Sequence, residues 1–228
     1  MGSRSFRLAL AASLALHAAV TAPALVLLLG SSSIRSALYQ DVLAPRFGEP
    51  QIVFIGDSLT QYAGIWAFRI GRYDLNTWNL GQSGLTTRQI LHSQARRIAA
   101  RRPKIAFLMA GINDEDKSPA GADASFAHYR EMLDTLRRAG TVPVIQLTLY
   151  RVDEPTPDFI DRLNGNLRLY AERNGLSVID LNRSLSRDRS LLPAFSTDGV
   201  HLNEQAYRIW ATQVRAVLSQ NSAHLSGQ

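Results

Sequence analysis

Cysteine is absent from the 228-residue chain. Its absence excludes disulfide bonds, a thiolate nucleophile, thiolate-ligated metal and lipid attachment through cysteine. Export is still compatible with this composition, although an exported form would have no covalent crosslinks. The length suits one domain with its own hydrophobic core plus an additional segment.

Lysine is nearly absent as well, since it occurs only at Lys104 and Lys117, so the net charge of +6 comes almost wholly from arginine. The densest basic run, residues 96–104, lies at the end of a predicted helix, where cations complement the helix dipole. A solvated helix end is the simplest interpretation, and an anionic membrane surface is the main alternative. Neither interpretation predicts a nucleic-acid partner.

The longest stretch without a formal charge is residues 8–30, which follow Arg4 and Arg7. As a helix it would span roughly 34 Å, enough for the hydrocarbon core of a bilayer. The segment Ala22-Pro23-Ala24 resembles a signal-peptidase site, but the apolar run continues beyond it, which favours an uncleaved anchor. We therefore expect an exported protein, anchored to the cytoplasmic membrane through 8–30 with its catalytic domain outside, or secreted if the segment is cleaved.

The remaining chain divides into a polar linker, one folded domain and a short tail. Residues 1–33 form the predicted anchor or signal peptide, 34–50 the linker, 51–220 the domain and 221–228 the tail. Within the domain, apolar strands alternate with amphipathic helices of ten or more residues, a pattern typical of an α/β fold with a parallel sheet covered on both faces. Strands are predicted over residues 52–55, 75–80, 105–110, 142–148 and 176–181, and helices over 61–70, 86–102, 124–138, 157–174 and 203–218.

Unusual polar residues follow the first three predicted strands. Ser58 follows the first strand, Gly81 and Gly84 the second, and Asn113-Asp114 the third. Each has an ordinary explanation as a helix cap or turn residue. Because the carboxyl ends of parallel strands meet at one edge, where such sheets bind ligands, their joint placement favours a site for chemistry.

A nucleophilic serine needs a base and a group that orients the base, and residues 198–201 (DGVH) supply both. Two intervening residues allow Asp198 to accept a hydrogen bond from the Nδ1–H of His201 while Nε2 faces the serine. A metal site is the alternative, but the sequence offers no second ligand cluster, so we expect no metal. The other histidines lie in the anchor, on predicted helices or in the tail, and are expected to be structural or exposed.

Four segments resemble the sequence blocks of the SGNH, or GDSL, hydrolase family. They are residues 56–60 (GDSLT), 79–84 (NLGQSG), 111–114 (GIND) and 198–202 (DGVHL), in the family's order. The resemblance spans nearly the whole of residues 51–220. It implies a flavodoxin-like, three-layer α/β/α domain with a mainly parallel sheet of about five strands, and a serine esterase or lipase that needs no cofactor.

The resemblance also implies roles for individual residues. Ser58 would be the nucleophile, His201 the base and Asp198 its orienting partner. The oxyanion donors would be the backbone N–H groups of Ser58 and Gly84 and the side-chain amide of Asn113. Because Thr60 stands where the Gly-x-Ser-x-Gly elbow has its second glycine, an ordinary α/β-hydrolase is disfavoured.

The substrate is less closely defined. A lipid-like or lysophospholipid ester is slightly favoured because it suits an anchored, basic protein. An O-acetyl ester of envelope carbohydrate is the alternative, and acyl transfer to an alcohol would use the same residues. A non-catalytic binding module on this fold is a weaker possibility, and the oligomeric state stays open.

Asp57 is expected to fix the turn that presents the serine. Its carboxylate would accept hydrogen bonds from backbone N–H groups and leave the Ser58 hydroxyl free for His201.

Overall fold

The computed structural model describes residues 48–72 and 76–222. The predicted anchor or signal peptide, residues 1–33, all but the end of the predicted linker 34–50, and the last residues of the predicted tail lie outside these ranges. Within the described ranges, no helix is both long enough and apolar enough to span a bilayer.

A five-stranded parallel sheet forms the centre of the domain, in the order β2-β1-β3-β4-β5. Its strands are β1 (Ile52–Gly56), β2 (Thr77–Asn79), β3 (Ile105–Met109), β4 (Val142–Gln146) and β5 (Val178–Ile179). The three-layer α/β/α architecture predicted from the sequence is confirmed.

Helices of varied length connect these strands. The longer ones are α5 (Pro119–Arg138), α6 (Pro157–Asn174) and α8 (Glu204–Gln220), and the shorter ones are α1 (Ser58–Tyr62), α2 (Trp66–Arg69), α3 (Thr87–Ile90), α4 (Arg96–Ala99) and α7 (Asn182–Leu185). A π-helical turn, Leu91–Ala95, joins α3 to α4, and a two-stranded hairpin, β6 (Ser186–Arg187) with β7 (Ser190–Leu191), precedes a 3₁₀ turn at Pro193–Phe195.

The two faces of the sheet bury separate hydrophobic clusters, because successive side chains of a strand point to opposite sides. In β1, Val53 and Ile55 pack in the cluster that includes residues of α3, α5 and α6. Ile52 and Phe54 pack in the other cluster, where Phe54 stacks on Trp66 of α2 at 4.1 Å between ring centroids. Burial on both faces explains why the strands read as continuous apolar runs.

The structure corrects several predicted boundaries. The helix predicted over 61–70 is in fact two short helices. The first, α1, begins at Ser58, and the helical conformation is interrupted before α2 at Gly64, which has φ +72°. Helix α5 begins at Pro119 rather than residue 124, since Ser118 accepts a hydrogen bond from the Gly121 N–H and caps it. The helix predicted over 86–102 contains the π-helical turn, and β2, β4 and β5 are shorter than predicted.

Gly81 lies where the loop after β2 crosses the end of α1. A Cβ atom on Gly81 would stand 2.3 Å from the backbone nitrogen of Gln61 and 2.7 Å from the carbonyl carbon of Thr60. Both contacts are with backbone atoms, which cannot rotate away. This close approach therefore requires glycine.

Gly81→Ala is expected to lower the free energy of unfolding by about 2 kcal/mol or more, because it forces apart two backbone segments. Urea denaturation monitored by tryptophan fluorescence measures the change. The matched control is Gly165→Ala in α6, where an added Cβ meets no atom within 4 Å. The control should be neutral or more stable by about 0.5–1 kcal/mol, and an equal loss in both variants would contradict the steric explanation.

Candidate active site

Ser58 stands at the carboxyl edge of the sheet as the first residue of α1. The preceding Asp57 caps this helix, since its Oδ1 accepts a hydrogen bond of 3.0 Å from the Leu59 N–H. The Gly56 N–H and C=O each bond to the side-chain amide of Gln94 at 3.0 Å. Asn79 fixes the other end of α1 by donating to the carbonyl oxygens of Thr60 and Gly64, at 2.9 and 2.8 Å.

His201 and Asp198 lie on one loop ahead of α8 and meet Ser58 at this edge. His201 Nε2 is 3.1 Å from Ser58 Oγ, and His201 Nδ1 is 2.6 Å from Asp198 Oδ2. The other carboxylate oxygen, Oδ1, accepts the backbone N–H groups of Val200 and His201 at 2.9 and 2.7 Å. Asp198 therefore holds the imidazole ring and its own loop together.

Hydrogen bonds from the His201 side chain and backbone, together with that from the Val200 N–H, lower the pKa of Asp198 to about 2. The carboxylate is therefore charged throughout the neutral range and favours a proton on His201 Nδ1. Since half of the Asp198 side chain is exposed, solvent screens this interaction.

Helix α8 also connects the histidine loop to the serine helix. The Tyr207 hydroxyl donates to the Leu59 carbonyl oxygen at 2.8 Å, and both residues are buried. Trp210 packs edge-on against Trp66 at 5.0 Å between ring centroids. These contacts bring two segments that are 143 residues apart in sequence into one site.

Gly84 and Asn113 lie on neighbouring loops beside Ser58's strand end. Gly84 is exposed and has φ +78°, a conformation that favours glycine, and within the described residues its N–H has no hydrogen-bond partner. The Gly81 N–H, in contrast, is bonded to Asn79 Oδ1 at 2.9 Å. Asn113 donates one amide hydrogen to the Leu85 carbonyl oxygen at 3.2 Å, which leaves the second amide hydrogen for another acceptor.

The carboxylate of Asp114 fixes these two loops to each other. Its Oδ1 accepts the Thr87 N–H and its Oδ2 accepts the Thr87 hydroxyl, both at 2.7 Å. The Ser125 hydroxyl on α5 also donates to Oδ2. His128 Nδ1 lies 3.2 Å from the Thr87 hydroxyl, so this histidine belongs to the structural network.

Sequence reasoning did not single out Gln94 or Asn79 as supports of the serine turn. In the sequence, Gln94 is an amide next to the otherwise apolar helical stripe, and Asn79 is an amide near the end of a predicted strand. The structure shows both side chains to be buried. Both act on chain segments distant in sequence, so the individual bonds could not be inferred from local pattern.

Residues 48–72 and 76–222 contain no candidate metal site, since no group of three or more histidine, aspartate or glutamate side chains in these ranges is arranged to hold an ion.

The arrangement of Ser58, His201 and Asp198 allows a proton to pass from the serine hydroxyl to the imidazole. Amide donors stand nearby for an oxygen that gains negative charge.

The arrangement is the one that a serine-dependent ester hydrolase requires, and the sequence comparison supports a carboxylic ester hydrolase. Residues 54–209 match the profile of the GDSL-like Lipase/Acylhydrolase family. Since the match covers more than half of the chain, the protein belongs to this family.

Solved structures of esterases share the fold. A GDSL-like lipase from Bacteroides thetaiotaomicron superimposes with a TM-score of 0.68 at 17% identity, covering 84% of this chain and 100% of that one. A carbohydrate esterase family 3 protein from Talaromyces cellulolyticus gives 0.59 at 18% identity, covering 75% and 97%. An acetyl xylan esterase gives 0.61 at 17% identity, covering 73% and 98%.

Curated relatives of similar sequence are longer proteins. An N-acylneuraminate cytidylyltransferase of Streptococcus agalactiae serotype V is 23% identical over 168 residues, which cover 72% of this chain and 38% of the relative. The serotype III protein is 25% identical over 141 residues, covering 60% and 33%. The chain therefore spans little more than a third of the length of these relatives.

Asp57 lies beneath this site and is fully buried. Among the residues that the structure describes, its Oδ2 has no hydrogen-bond partner, and burial raises the pKa of the carboxyl to about 7. Because the folded-state pKa lies above the unfolded value, neutral Asp57 is compatible with folding at low pH. The associated stability is lost as the pH rises from about 4 to about 7.

Asp57→Asn is expected to be less sensitive to pH across this window, because an amide stays neutral while keeping an oxygen for the Leu59 N–H. Urea denaturation at several pH values between about 4.5 and 7.5 should show the variant gaining stability relative to wild type as the pH rises. Asp116→Asn is the control, since hydrogen bonds from Ser118 lower the pKa of Asp116, so that this carboxylate is charged across the whole window and its replacement should shift stability by the same amount at each pH. Parallel pH profiles for wild type and Asp57→Asn would contradict the raised pKa.

Proposed function

We propose that this protein hydrolyses short-chain acyl esters, with acetyl esters of carbohydrate as the best-supported substrates, through an acyl-enzyme on Ser58. The observation that carries the mechanism is the continuous set of short contacts from Ser58 Oγ to His201 and on to Asp198, at 3.1 and 2.6 Å. Membership of an acylhydrolase family supports the same chemistry.

In the first step, Ser58 Oγ attacks the ester carbonyl carbon while His201 Nε2 accepts the hydroxyl proton. The carbonyl oxygen gains negative charge, and we assign the Ser58 and Gly84 N–H groups and the Asn113 amide as its donors. His201 then gives the proton to the departing alcohol oxygen, and an acyl ester remains on Ser58. Water, deprotonated by His201, releases the acid and restores the serine.

The surroundings of the serine support a short acyl group. Gln82, Ser83 and Gly84 are exposed on the loop after β2 and Asp198 on the histidine loop, so the exposed groups next to the serine are largely polar, with the Tyr62 ring beside His201 as an apolar exception. Within the described residues the exposed large hydrophobic side chains are Tyr62, Phe68 and Leu169. A long acyl chain would need a run of apolar surface leading from the serine.

The comparisons support the carbohydrate assignment, since the structural relatives include a carbohydrate esterase and an acetyl xylan esterase. The curated relatives carry the name N-acylneuraminate cytidylyltransferase. A lipid-like ester is the second candidate, supported by the predicted membrane segment 8–30 and the net charge of +6. In either case we propose an exported enzyme with its catalytic domain outside the cytoplasmic membrane.

Loss of the nucleophile and loss of an oxyanion donor should have separable effects. Ser58→Ala is expected to abolish covalent labelling by a fluorophosphonate probe and ester hydrolysis together. Asn113→Ala should retain the nucleophile but lower kcat by roughly 10²- to 10³-fold, because one donor to the developing negative charge is lost. Gel fluorescence of the fluorophosphonate-labelled protein measures the labelling, and steady-state release of p-nitrophenol from p-nitrophenyl acetate measures kcat.

The control is Asn166→Ala on the exposed side of α6, where the amide donates to Asp123 at 3.2 Å, far along the chain from the site. It should behave as wild type. If folded wild-type protein neither reacts with the probe nor hydrolyses activated esters, a binding module on the same fold would replace the enzyme proposal.

Acyl-chain preference separates the two substrate candidates. We expect kcat/KM to be highest for acetyl and to fall steeply along a p-nitrophenyl series from acetyl through butyryl to octanoyl, because the polar rim offers long chains little apolar contact. A rise toward octanoyl would contradict the acetyl assignment and favour the lipid-like ester. Product analysis with an added alcohol would reveal acyl transfer.

A further inference from the structure

Tyr62 is an aromatic side chain beside the reactive groups that the mechanism above does not use. It lies on α1 four residues after Ser58, so both side chains project from the same face of the helix. Its ring centroid is 4.8 Å from that of His201, with the planes tilted by 50°. The side chain is nevertheless 45% exposed, so much of the ring faces solvent.

The position of Tyr62 relative to His201 identifies which part of an ester it would meet. His201 Nε2 must reach the alcohol oxygen to protonate it, so the alcohol part of the substrate lies on the histidine side of Ser58. The acyl carbonyl oxygen points instead toward Gly84 and Asn113. A ring in contact with His201 therefore borders the alcohol part.

We propose that Tyr62 is a specificity-determining residue whose ring stacks against the sugar of a carbohydrate ester; this inference rests on the proposed function. One face of a pyranose ring presents C–H groups while its rim carries hydroxyls, and a partly exposed aromatic ring matches that apolar face. The polar neighbours match the hydroxyls. Gln61, adjacent to Tyr62, bonds through Oε1 to the Ser83 N–H at 2.8 Å, next to the exposed Gln82.

The test compares two acetate esters that differ only in their alcohol, an O-acetylated methyl pyranoside and ethyl acetate, with acetic acid release followed by pH-stat. In Tyr62→Ala we expect KM for the sugar ester to rise roughly three- to ten-fold, the effect of losing one stacked ring. The value of kcat/KM for ethyl acetate should stay within about two-fold of wild type, since that alcohol is too small to reach the ring.

Companion variants separate stacking from other effects. Tyr62→Phe and Tyr62→Trp keep an aromatic face and should retain most of the sugar-ester affinity, whereas Tyr62→Leu keeps apolar volume without a ring face and should resemble Tyr62→Ala. Phe68→Ala removes a similarly exposed aromatic ring, 57% exposed on α2, and should change neither ester. An unchanged rate of fluorophosphonate labelling in each variant shows that the site is folded.

Two results would overturn the inference while the enzyme proposal stands. Equal losses on both esters would mean that Tyr62 acts by holding His201, and no change on either ester would mean that the ring does not meet the alcohol. A wild-type protein that hydrolyses neither ester and resists labelling would overturn the proposed function and this inference together.

Discussion

The backbone of Gly56 is the constraint on which the site depends. Strand β1 ends there, and the side-chain amide of Gln94 bonds to both the N–H and the C=O of this residue. The carbonyl oxygen also accepts the Gln82 N–H at 3.0 Å. Because both the N–H and the C=O of the last strand residue are hydrogen-bonded, the turn through Asp57 starts from a fixed backbone and places Ser58 in one position. The Ser58 side chain is thus positioned by buried amides that lie beneath the site.

The π-helical turn at Leu91–Ala95 accounts for the position of Gln94. The π-helical turn contains one residue more than an α-helical turn, which changes the side chains that face the sheet. Gln94 is 6% exposed there and lies within an apolar cluster. An amide buried there must be hydrogen-bonded, and the strand end supplies both a donor and an acceptor. Such insertions are frequent near functional sites.

Two aspartates near the serine have opposite electrostatic environments. Asp57 is buried beneath the serine, where desolvation raises its pKa to about 7, whereas Asp198 is half exposed and its hydrogen bonds hold its pKa at about 2. Of the two, Asp198 is therefore the one that carries a full negative charge next to the imidazole at neutral pH. The same residue type serves as a helix cap in one place and as a charge partner in the other.

The sequence was informative about the sheet because β1 and β3 are buried on both faces, which leaves a continuous apolar run. It was less informative about helix starts. The serine helix begins at Ser58 itself because Asp57 caps it, and Ser118-Pro119 starts α5 earlier than its apolar periodicity suggests. The residues Ser58, Asp198 and His201 could be selected because each side chain is of a type that a serine hydrolase mechanism uses, and the structure brings the three together. The bonds of Gln94 and Asp114 could not, since each joins segments far apart in sequence.

The two contacts of His201 differ in origin. The contact with Asp198 closes within one loop, where Oδ1 of the same carboxylate also binds the backbone. The contact with Ser58 joins segments far apart in sequence, and α8 supports it by packing on α1 through Tyr207 and on α2 through Trp210. His201 and Asp198 are thus held together within one loop, and the packing of the last helix positions that loop against the serine. The distance between His201 and Ser58 is consequently a direct gauge of whether the first and last helices of the domain are packed together.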